Sequence, residues 1–451
     1  MRKDTIAAIA TALSNSGIGI VRISGEESFQ IAEKIYKGKK IKDHAIHYGY
    51  IVDGNEMIDE VLVMAMRGPH SFTGEDTIEI NCHGGVYVVK KVLETVIKNG
   101  ARPAEPGEFT KRAFLNGKID LSQAEAVIDI ISSKNEYALK SSVSQLKGNV
   151  QKKIKDIREK ILYHTAFIET ALDDPEHISV DGYGETLKET VEPLIEELSK
   201  LIQSADNGRM IKEGIKTVIL GKPNAGKSSL LNVLVGEDRA IVTDIAGTTR
   251  DVLEESITLH GISLNIMDTA GIRDTSDVVE KIGVDKAKNH ASEADLIIYV
   301  VDASRELDEN DYEIMEMIRD KKAIILLNKS DLATVVSKDM VKSHIDKPMI
   351  EISAKEEKGI EKLEDLLKKM FFKGEISFND EVYITNMRHK AAISDAYESL
   401  KKVLVSIEND MPEDFYSIDL LDAYESLGSI TGETIGEDLV NEIFSKLCMG
   451  K

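Results

Sequence analysis

One octapeptide constrains this 451-residue chain more than any other segment, because it predicts both a local fold and a ligand. Residues 221–228 have the sequence G-K-P-N-A-G-K-S, which fits the pattern G-x-x-x-x-G-K-[S/T] of a phosphate-binding loop. The apolar residues 217–220 precede it as a buried strand would, and 229–235 follow as the start of a helix. Backbone N–H groups of such a loop surround a phosphate at the helix N-terminus. We therefore predict that Lys227 contacts the β- and γ-phosphate oxygens and that the Ser228 hydroxyl binds Mg²⁺.

Two further motifs follow in the order found in guanine-nucleotide hydrolases. The run D-T-A-G at 268–271 ends a predicted strand and brings the Asp268 carboxylate near the metal and a glycine N–H near the γ-phosphate. The run N-K-S-D at 328–331 ends another predicted strand, and the Asp331 carboxylate can accept two hydrogen bonds from guanine. Adenine offers no matching pair of donors, and such a site rejects the wrong base by a factor on the order of ten thousand. We therefore predict that the nucleotide is GTP and not ATP.

The base and the metal each require one more segment. The run S-A-K at 353–355 follows an apolar strand and can support the base with main-chain N–H groups. The run G-T-T-R-D at 247–251 supplies a threonine hydroxyl for the Mg²⁺ shell, for which Thr249 is the first choice and Thr248 the alternative. Ile272 stands where signalling GTPases carry a water-orienting glutamine. Either hydrolysis is slow or another group orients the water and stabilises the charge.

The composition of the chain limits which partners it can bind and in which cell compartment it works. No apolar run reaches the roughly 20 residues of a membrane span, so we predict a protein that does not enter a membrane. The chain has only two cysteines, which favours a reducing, cytoplasmic location. The formal charge of −22 disfavours a broad nucleic-acid-coating surface and leaves only local basic patches for RNA. Two such patches are Lys37, Lys39, Lys40 and Lys42, and Lys152, Lys153, Lys155 and Arg158.

The distribution of apolar residues predicts a multidomain α/β and α protein. Residues 1–117 alternate short strands with brief helices and glycine turns, as in a separate α/β domain. Residues 118–211 and 376–451 have helical spacing and predict one discontinuous, all-helical domain. The nucleotide motifs lie in 212–375, which predicts a P-loop, Ras-like G domain inserted into a loop of the helical domain.

Over essentially its full length the chain resembles the MnmE (TrmE) family of tRNA-modification GTPases. The resemblance rests on G-K-P-N-A-G-K-S, on I-V-T-D-I-A-G-T-T-R-D at 241–251, on D-T-A-G-I-R at 268–273 and on the final C-M-G-K at 448–451. The runs S-F-T-G-E-D at 71–76 and G-E-F at 107–109 match the N-terminal domain of that family.

The resemblance implies that a K⁺ ion takes the place of an arginine finger and stabilises charge between the β- and γ-phosphates. Its ligands would be Asn224, Thr243, Ile245 and Thr248. Mg²⁺ would be bound by Ser228 and Thr249, and Glu280 would place the attacking water. The implied catalytic residues are Glu280, Asp268 and Lys227. The implied GTP-binding residues are Asn224, Ala225, Gly226, Lys227, Ser228, Ser229, Thr243, Asp244, Ile245, Ala246, Gly247, Thr248, Thr249, Asp268, Thr269, Ala270, Gly271, Asn328, Lys329, Asp331, Ser353 and Ala354.

The resemblance also implies a folate-binding N-terminal domain that forms a constitutive homodimer. The ligand would be 5-formyl-tetrahydrofolate or 5,10-methylene-tetrahydrofolate, and its contacts would fall on Arg22, Glu79, Lys118 and Lys451. A guanidinium, a carboxylate and two amines suit a pterin edge and a glutamate tail. Cys448 is open to two interpretations, a chemically involved thiol or a small buried apolar side chain.

Together these implications describe a K⁺-activated GTPase that acts on tRNA. With an FAD- and NADH-dependent partner of the MnmG (GidA) type, in a hetero-oligomer, it would add a 5-carboxymethylaminomethyl-type group to the wobble uridine. Folate would supply the one-carbon unit, and GTP hydrolysis would drive a conformational change. A ribosome-assembly GTPase of the Era or Der type is the alternative, but it predicts an RNA-binding appendage that the sequence lacks. A GTP-dependent scaffold is a third interpretation, against which a bound folate would argue.

Overall fold

The computed structural model describes residues 4–180, 182–237, 255–259, 262–267, 292–372, 384–445 and 450. The chain divides into two compact units. The first contains Met1–Ser132, Ser142–Leu198 and Ala391–Lys451, and the second contains Ser133–Ser141 and Ser199–Lys390. Three helices described below, α5, α7 and α12, have residues in both units.

The first unit begins with a seven-stranded sheet among the described residues, in the order β3-β4-β5-β6-β2-β1-β7. Only β1 and β7 pair in parallel, and all the other neighbours are antiparallel. The strands are β1 (Ile6–Ile9), β2 (Ser16–Ser24), β3 (Tyr36–Gly38), β4 (Ala45–Asp53), β5 (Glu56–Met66), β6 (Thr77–Gly84) and β7 (Arg102–Pro103). The associated helices are α1 (Ser28–Ile35), α2 (Val86–Lys98) and α3 (Glu108–Leu115). The apolar runs at 18–23, 61–66 and 77–80 lie in β2, β5 and β6.

Alternation along the strands places the core on one face of this sheet. Val61, Val63 and Ala65 of β5 are buried, and they pack in one cluster with buried residues of α1 and α2. The other face keeps Tyr48 and Leu62 exposed. The sheet is therefore covered by helices on one side, and the polar residues of β2 and β6 that face away from that core are available for a ligand.

Long helices follow, as their apolar spacing predicts. They are α4 (Leu121–Ser132), α5 (Glu136–Leu146), α6 (Asn149–Asp173) and α7 (Tyr183–Glu213). On α6, Ile154, Ile157, Ile161 and Ile168 are buried at intervals of three, four and seven residues, which is one face of a helix. The helix ends at Asp173, before the Asp-Pro step that predicts a break.

The second unit contains a six-stranded sheet, in the order β13-β12-β11-β8-β10-β9 within the described residues. All neighbours are parallel except the edge pair β9 and β10. The strands are β8 (Ile215–Leu220), β9 (Glu255–Leu259), β10 (Ile262–Ile266), β11 (Leu296–Asp302), β12 (Ala323–Asn328) and β13 (Met349–Glu351). The helices are α8 (Lys227–Glu237), α9 (Glu309–Met317), α10 (Lys338–Lys342) and α11 (Ile360–Phe372).

Every residue of β11 and β12 is buried, which is typical of a parallel sheet covered on both faces. Alternate residues of β11 divide between two cores. Ile298 and Val300 belong to one apolar cluster, and Ile297 and Tyr299 belong to the other. The strands thus hold their carboxyl ends, where the nucleotide motifs begin, in fixed register.

The chain closes with α12 (Met387–Glu408), α13 (Glu413–Thr431) and α14 (Glu437–Ser445), in agreement with the helical spacing of this region. Among the described helices, none combines the length and the apolarity that a bilayer span requires.

Arg158 was expected in the second basic surface patch, but the structure places it in the interior. It is only 6% exposed, its Nη1 lies 2.6 Å from Glu433 Oε2, and its guanidinium lies 4.0 Å from the Tyr424 ring. The sequence places it in a run of lysines, but its position on the buried face of α6 directs it against α13. The basic patch is therefore reduced to Lys152, Lys153 and Lys155, of which Lys153 and Lys155 pair with glutamates.

A buried histidine on α6 predicts a pH dependence of stability. His164 is 6% exposed, and its ring nitrogens lie 2.6 Å from Tyr183 Oη and 3.0 Å from Thr190 Oγ1. Burial lowers the pKa of His164 in the folded state below its ordinary value of about 6.5. The unfolded chain therefore binds more protons below about pH 6.5, and the stability contributed by the neutral imidazole is lost as the pH falls through the folded pKa.

We expect the melting temperature of the wild type to fall between pH 7 and pH 5 more steeply than that of His164→Gln. Scanning calorimetry across this range measures the difference, and His177→Gln, at an exposed histidine of the same unit, is the control. Equal slopes for wild type and His164→Gln would contradict the assignment.

Candidate nucleotide and folate sites

The phosphate-binding loop joins β8 to α8, and two of its glycines are required by close backbone approaches. Gly221 has φ +151°, and a Cβ there would lie 2.5 Å from the carbonyl oxygen of Val300 on β11. Gly226 has φ +99°, and a Cβ there would lie 2.1 Å from Asn328 Nδ2. Residues with a side chain rarely adopt such φ values, and a Cβ would not fit at either position. The loop therefore needs glycine at both.

The Lys227 ammonium is held over the loop by main-chain oxygens. Its Nζ donates to the carbonyl of Gly221 at 2.6 Å and to that of Lys222 at 2.8 Å. Burial lowers the pKa of Lys227 below its ordinary value. A cation that is desolvated and already positioned gains more from an arriving phosphate than a hydrated one does.

Asn224, in the middle of the loop, has φ +62° and is exposed. Asparagine adopts this left-handed conformation more readily than other non-glycine residues. The residue therefore has a conformational reason to be asparagine, in addition to any role of its amide oxygen as a ligand.

Asn328, at the end of β12, connects the phosphate loop to the predicted base-binding loop. It is 2% exposed, its Nδ2 donates to the Ala225 carbonyl at 2.8 Å, and its Oδ1 accepts from the Ala354 N–H at 3.0 Å. Its own carbonyl accepts from the N–H of Ala303 at 3.0 Å. One buried amide thus uses both ends of its side chain to fix two loops that are distant in sequence. A base that uses the Ala354 N–H, as the sequence predicts, must share that donor with Asn328.

The run S-A-K at 353–355 positions Asp331. The Ser353 hydroxyl donates to Asp331 Oδ1 at 2.6 Å, and this hydrogen bond lowers the pKa of the Asp331 carboxyl below its ordinary value. The carboxylate is exposed and ionised at neutral pH, so its second oxygen can accept from a guanine edge. Lys329, with φ +65°, is held by an ion pair of 2.6 Å between its Nζ and Asp302 Oδ2.

The structure therefore brings together the loop at 221–228, the motif at 328–331 and the pair Ser353 and Ala354. Ser228 and Ser229 lie in the first turn of α8, beside Lys227. The remaining predicted nucleotide and metal residues lie outside the described residues. They are Thr243, Asp244, Ile245, Ala246, Gly247, Thr248, Thr249, Asp268, Thr269, Ala270, Gly271 and Glu280.

In the first unit, two of the residues predicted to contact folate lie side by side on neighbouring strands. Arg22 on β2 is in register with Glu79 on β6, and Arg22 Nε donates to Glu79 Oε1 at 2.7 Å. Both side chains are 16% exposed. Arg22 Nη1 also donates to the carbonyl of Gly450 at 3.0 Å, so the end of the chain returns to this pair.

Lys118 joins the same region through the loop that precedes β6. Its Nζ donates to the Pro69 carbonyl at 2.9 Å, and its Cγ packs on Gly74. This loop also carries Phe72, whose ring centre lies 5.8 Å from the Arg22 guanidinium carbon. Lys451 and Cys448 lie outside the described residues.

Aromatic rings are the part of this site that the sequence analysis missed. Phe109 of α3 lies with its ring centre 5.6 Å from the Arg22 guanidinium carbon, but it is fully buried, so it supports Arg22 while Phe72 offers the exposed ring. Both rings belong to motifs that match the family, S-F-T-G-E-D and G-E-F, which was the available signal. A guanidinium, a carboxylate and an aromatic surface together suit a flat heterocycle that carries hydrogen-bonding edges.

Two family models match consecutive segments of the chain. Residues 5–118 match the family described as the GTP-binding protein TrmE N-terminus, and residues 121–448 match the MnmE helical domain. Among solved structures, the G domain of the T. maritima FeoB iron transporter aligns with 33% of this chain and 94% of its own length. The identity is 28% and the TM-score is 0.26, which is too low to compare the folds.

Curated relatives match the chain from end to end. The tRNA modification GTPase MnmE of Lachnoclostridium phytofermentans is 62% identical over 458 residues, which cover 100% of both chains. The proteins of the same name from Clostridioides difficile and Acetivibrio thermocellus are each 51% identical, with 99% and 100% of both chains covered. The chain therefore belongs to the MnmE (TrmE) family of tRNA modification GTPases.

Proposed function

We propose that this chain is a K⁺-activated GTPase whose hydrolysis cycle drives a conformational change during modification of the wobble uridine of certain tRNAs. The observation that supports it best is the Asn328 amide, which links the phosphate loop to the loop that holds Asp331. Such a link lets one nucleotide be recognised at both of its ends. The full-length match to tRNA modification GTPases supports tRNA as the RNA substrate.

The described residues divide the work on GTP between phosphate and base. Lys227, oriented by the Gly221 and Lys222 carbonyls, would contact the β- and γ-phosphates and neutralise charge that develops between them. Asp331, held by Ser353, would accept the two guanine donors. A purine that lacks these donors would leave the carboxylate unpaired, which disfavours ATP.

The donor set of the phosphate loop fits the two cations that this function needs. Ser228 offers a hydroxyl beside Lys227 for Mg²⁺, and the exposed Asn224 amide offers an oxygen for K⁺. When bound, these cations supply positive charge to the phosphates. We propose Thr249 as the second Mg²⁺ ligand and Thr243, Ile245 and Thr248 as further K⁺ ligands. Asp268 would lie near Mg²⁺, and Glu280 would place the attacking water.

We propose that the first unit binds 5-formyl-tetrahydrofolate or 5,10-methylene-tetrahydrofolate as the one-carbon donor. The Arg22 and Glu79 pair, beside the exposed ring of Phe72, supports this proposal because it offers charged edges next to an aromatic surface. The Gly450 carbonyl on Arg22 supports a contribution from Lys451, the next residue. Lys118 would provide the second amine.

We further propose the domain arrangement 1–117, 118–211 with 376–451, and 212–375, with the last as an inserted G domain. Its support is that the first unit is interrupted in sequence by residues 199–390 of the second. By family membership we propose a homodimer and a hetero-oligomer with an FAD- and NADH-dependent partner of the MnmG type. The product would be a 5-carboxymethylaminomethyl-type uridine, made in the cytoplasm. The full-length relatives give no support to the ribosome-assembly alternative.

Steady-state GTP hydrolysis in KCl and in NaCl at equal ionic strength tests the K⁺ proposal. We expect stimulation by K⁺ of about a hundredfold, because removing one transition-state donor typically costs that much. Asn224→Ala should lose it, and so should Asn224→Gly, which keeps the positive φ without strain but lacks the amide.

Asn232→Ala, at an exposed asparagine of α8, is the control and should keep the stimulation. Equal rates of the wild type in the two salts would overturn the proposal. Stimulation that survives in Asn224→Gly would assign Asn224 a conformational role only.

Equilibrium dialysis with 5-formyl-tetrahydrofolate tests the folate proposal. We expect Glu79→Gln to weaken binding by about tenfold or more, because an amide cannot replace a charged acceptor of pterin N–H groups. The variant is isosteric, so Arg22 keeps an oxygen partner. Asp53→Asn, which removes an exposed ion pair with Lys98 in the same unit, should bind as the wild type does. Equal affinities of wild type and Glu79→Gln would exclude this carboxylate from the site.

A further inference from the structure

The second residue of the phosphate loop is anchored to a helix that the nucleotide motifs do not include. Lys222 Nζ lies 2.6 Å from Asp311 Oδ2 and 2.9 Å from Asp308 Oδ2, at the start of α9. The Lys222 side chain is 23% exposed, and that of Asp311 is 2% exposed. The pair is therefore largely removed from solvent, where ionic contacts are screened less than on the surface.

The Asp311 carboxylate is itself fixed from two directions. The buried Tyr299 hydroxyl, from β11, donates to Asp311 Oδ1 at 2.7 Å. Asp308 and Asp311 also form a reciprocal capping box at the helix N-terminus. Burial, and then the hydrogen bond to Asp311, raise the pKa of Tyr299 above its ordinary value, so the hydroxyl stays a donor. Lys222 thus contacts a carboxylate whose position is set by the sheet and by the helix.

The same residue supplies one of the two carbonyls that hold Lys227. The Lys222 carbonyl accepts from Lys227 Nζ at 2.8 Å and from the N–H of Ala225 at 3.2 Å. Anchoring the Lys222 side chain therefore fixes a main-chain oxygen that orients the cation expected to contact the phosphates. The anchor acts on the nucleotide through Lys227 and not by contact.

The segment from β11 to α9 also holds the base-recognition motif. Asp302 pairs with Lys329 at 2.6 Å, and the N–H of Ala303 donates to the Asn328 carbonyl. One segment of about ten residues, 302–311, thus fixes a lysine from the phosphate loop at one end and a lysine from the base loop at the other.

We infer that Lys222 is a positioning residue for guanine-nucleotide binding, acting through its buried contact with Asp311 on the segment 302–311. This inference rests on the proposed GTPase function and adds to it a residue that sets affinity. Its role is in binding the ground state, because the anchor holds the loop for GDP and GTP alike. Once GTP is bound, its phosphates also hold Lys227, so the hydrolysis step at saturation depends much less on the anchor.

Calorimetric affinities for GDP and GTP, together with kcat and KM for GTP, test the inference on the full chain. We expect Lys222→Met to weaken both nucleotides by about tenfold and to raise KM similarly, with kcat changed less than about threefold. Asp311→Asn, which keeps an acceptor for Tyr299, should weaken binding in the same direction. Lys222→Arg keeps a cation for Asp311 and should retain most of the wild-type affinity.

The double variant Lys222→Met with Asp311→Asn separates a coupled pair from two independent residues. For a coupled pair its affinity loss should be no greater than that of Lys222→Met alone. Lys368→Met, which breaks an ion pair with Glu364 on α11, is the matched control and should leave affinity unchanged.

Wild-type affinity in Lys222→Met and Asp311→Asn, or losses that simply add in the double variant, would overturn the inference. A lowered melting temperature of these variants with unchanged nucleotide affinity would likewise show that the contact only stabilises the fold. A wild-type chain that binds neither GDP nor GTP would overturn the proposed function itself, and so is distinguishable from these results.

Discussion

The Asn328 amide is the interaction on which the nucleotide site depends. It is buried, and each end of its side chain is used, by the Ala225 carbonyl and by the Ala354 N–H. Leaving one such buried partner unsatisfied costs about 1–3 kcal/mol. The amide can reach both loops because β8, β11 and β12 are adjacent and parallel, with their carboxyl ends at one edge. Gly226 is required there because any side chain would displace the amide.

The local parts of this site could be predicted from the sequence, because each is a short motif at the end of an apolar strand. The loop at 221–228, the motif at 328–331 and the pair at 353–354 lie where their patterns predict. The contacts between them could not be predicted. Asn328 and Ala225 are 103 positions apart, and nothing in a local pattern indicates which strand ends become neighbours. The contact of Lys222 with Asp311 was missed for the same reason.

Arg158 illustrates the converse error, a local pattern that misleads. Its neighbours in sequence are lysines, so composition predicts a basic surface patch. Helical periodicity places Arg158 on the same face as Ile154 and Ile161, and the partners Glu433 and Tyr424 lie far along the chain. The Arg22 and Glu79 pair was predicted only through the family resemblance. Its flanking rings and the approach of Gly450 became evident only when β2, β6 and the end of the chain were placed together.

The role of Asn328 as a link between phosphate and base binding can be measured directly with ligands that occupy one end or both. Calorimetric affinities for inorganic pyrophosphate and for GDP should be compared among the wild type, Asn328→Ala and Asp331→Asn. We expect Asn328→Ala to weaken both ligands, because the phosphate loop loses its tether, and Asp331→Asn to weaken GDP alone. Unchanged pyrophosphate affinity in Asn328→Ala would show that this amide serves only the base, and would contradict the link.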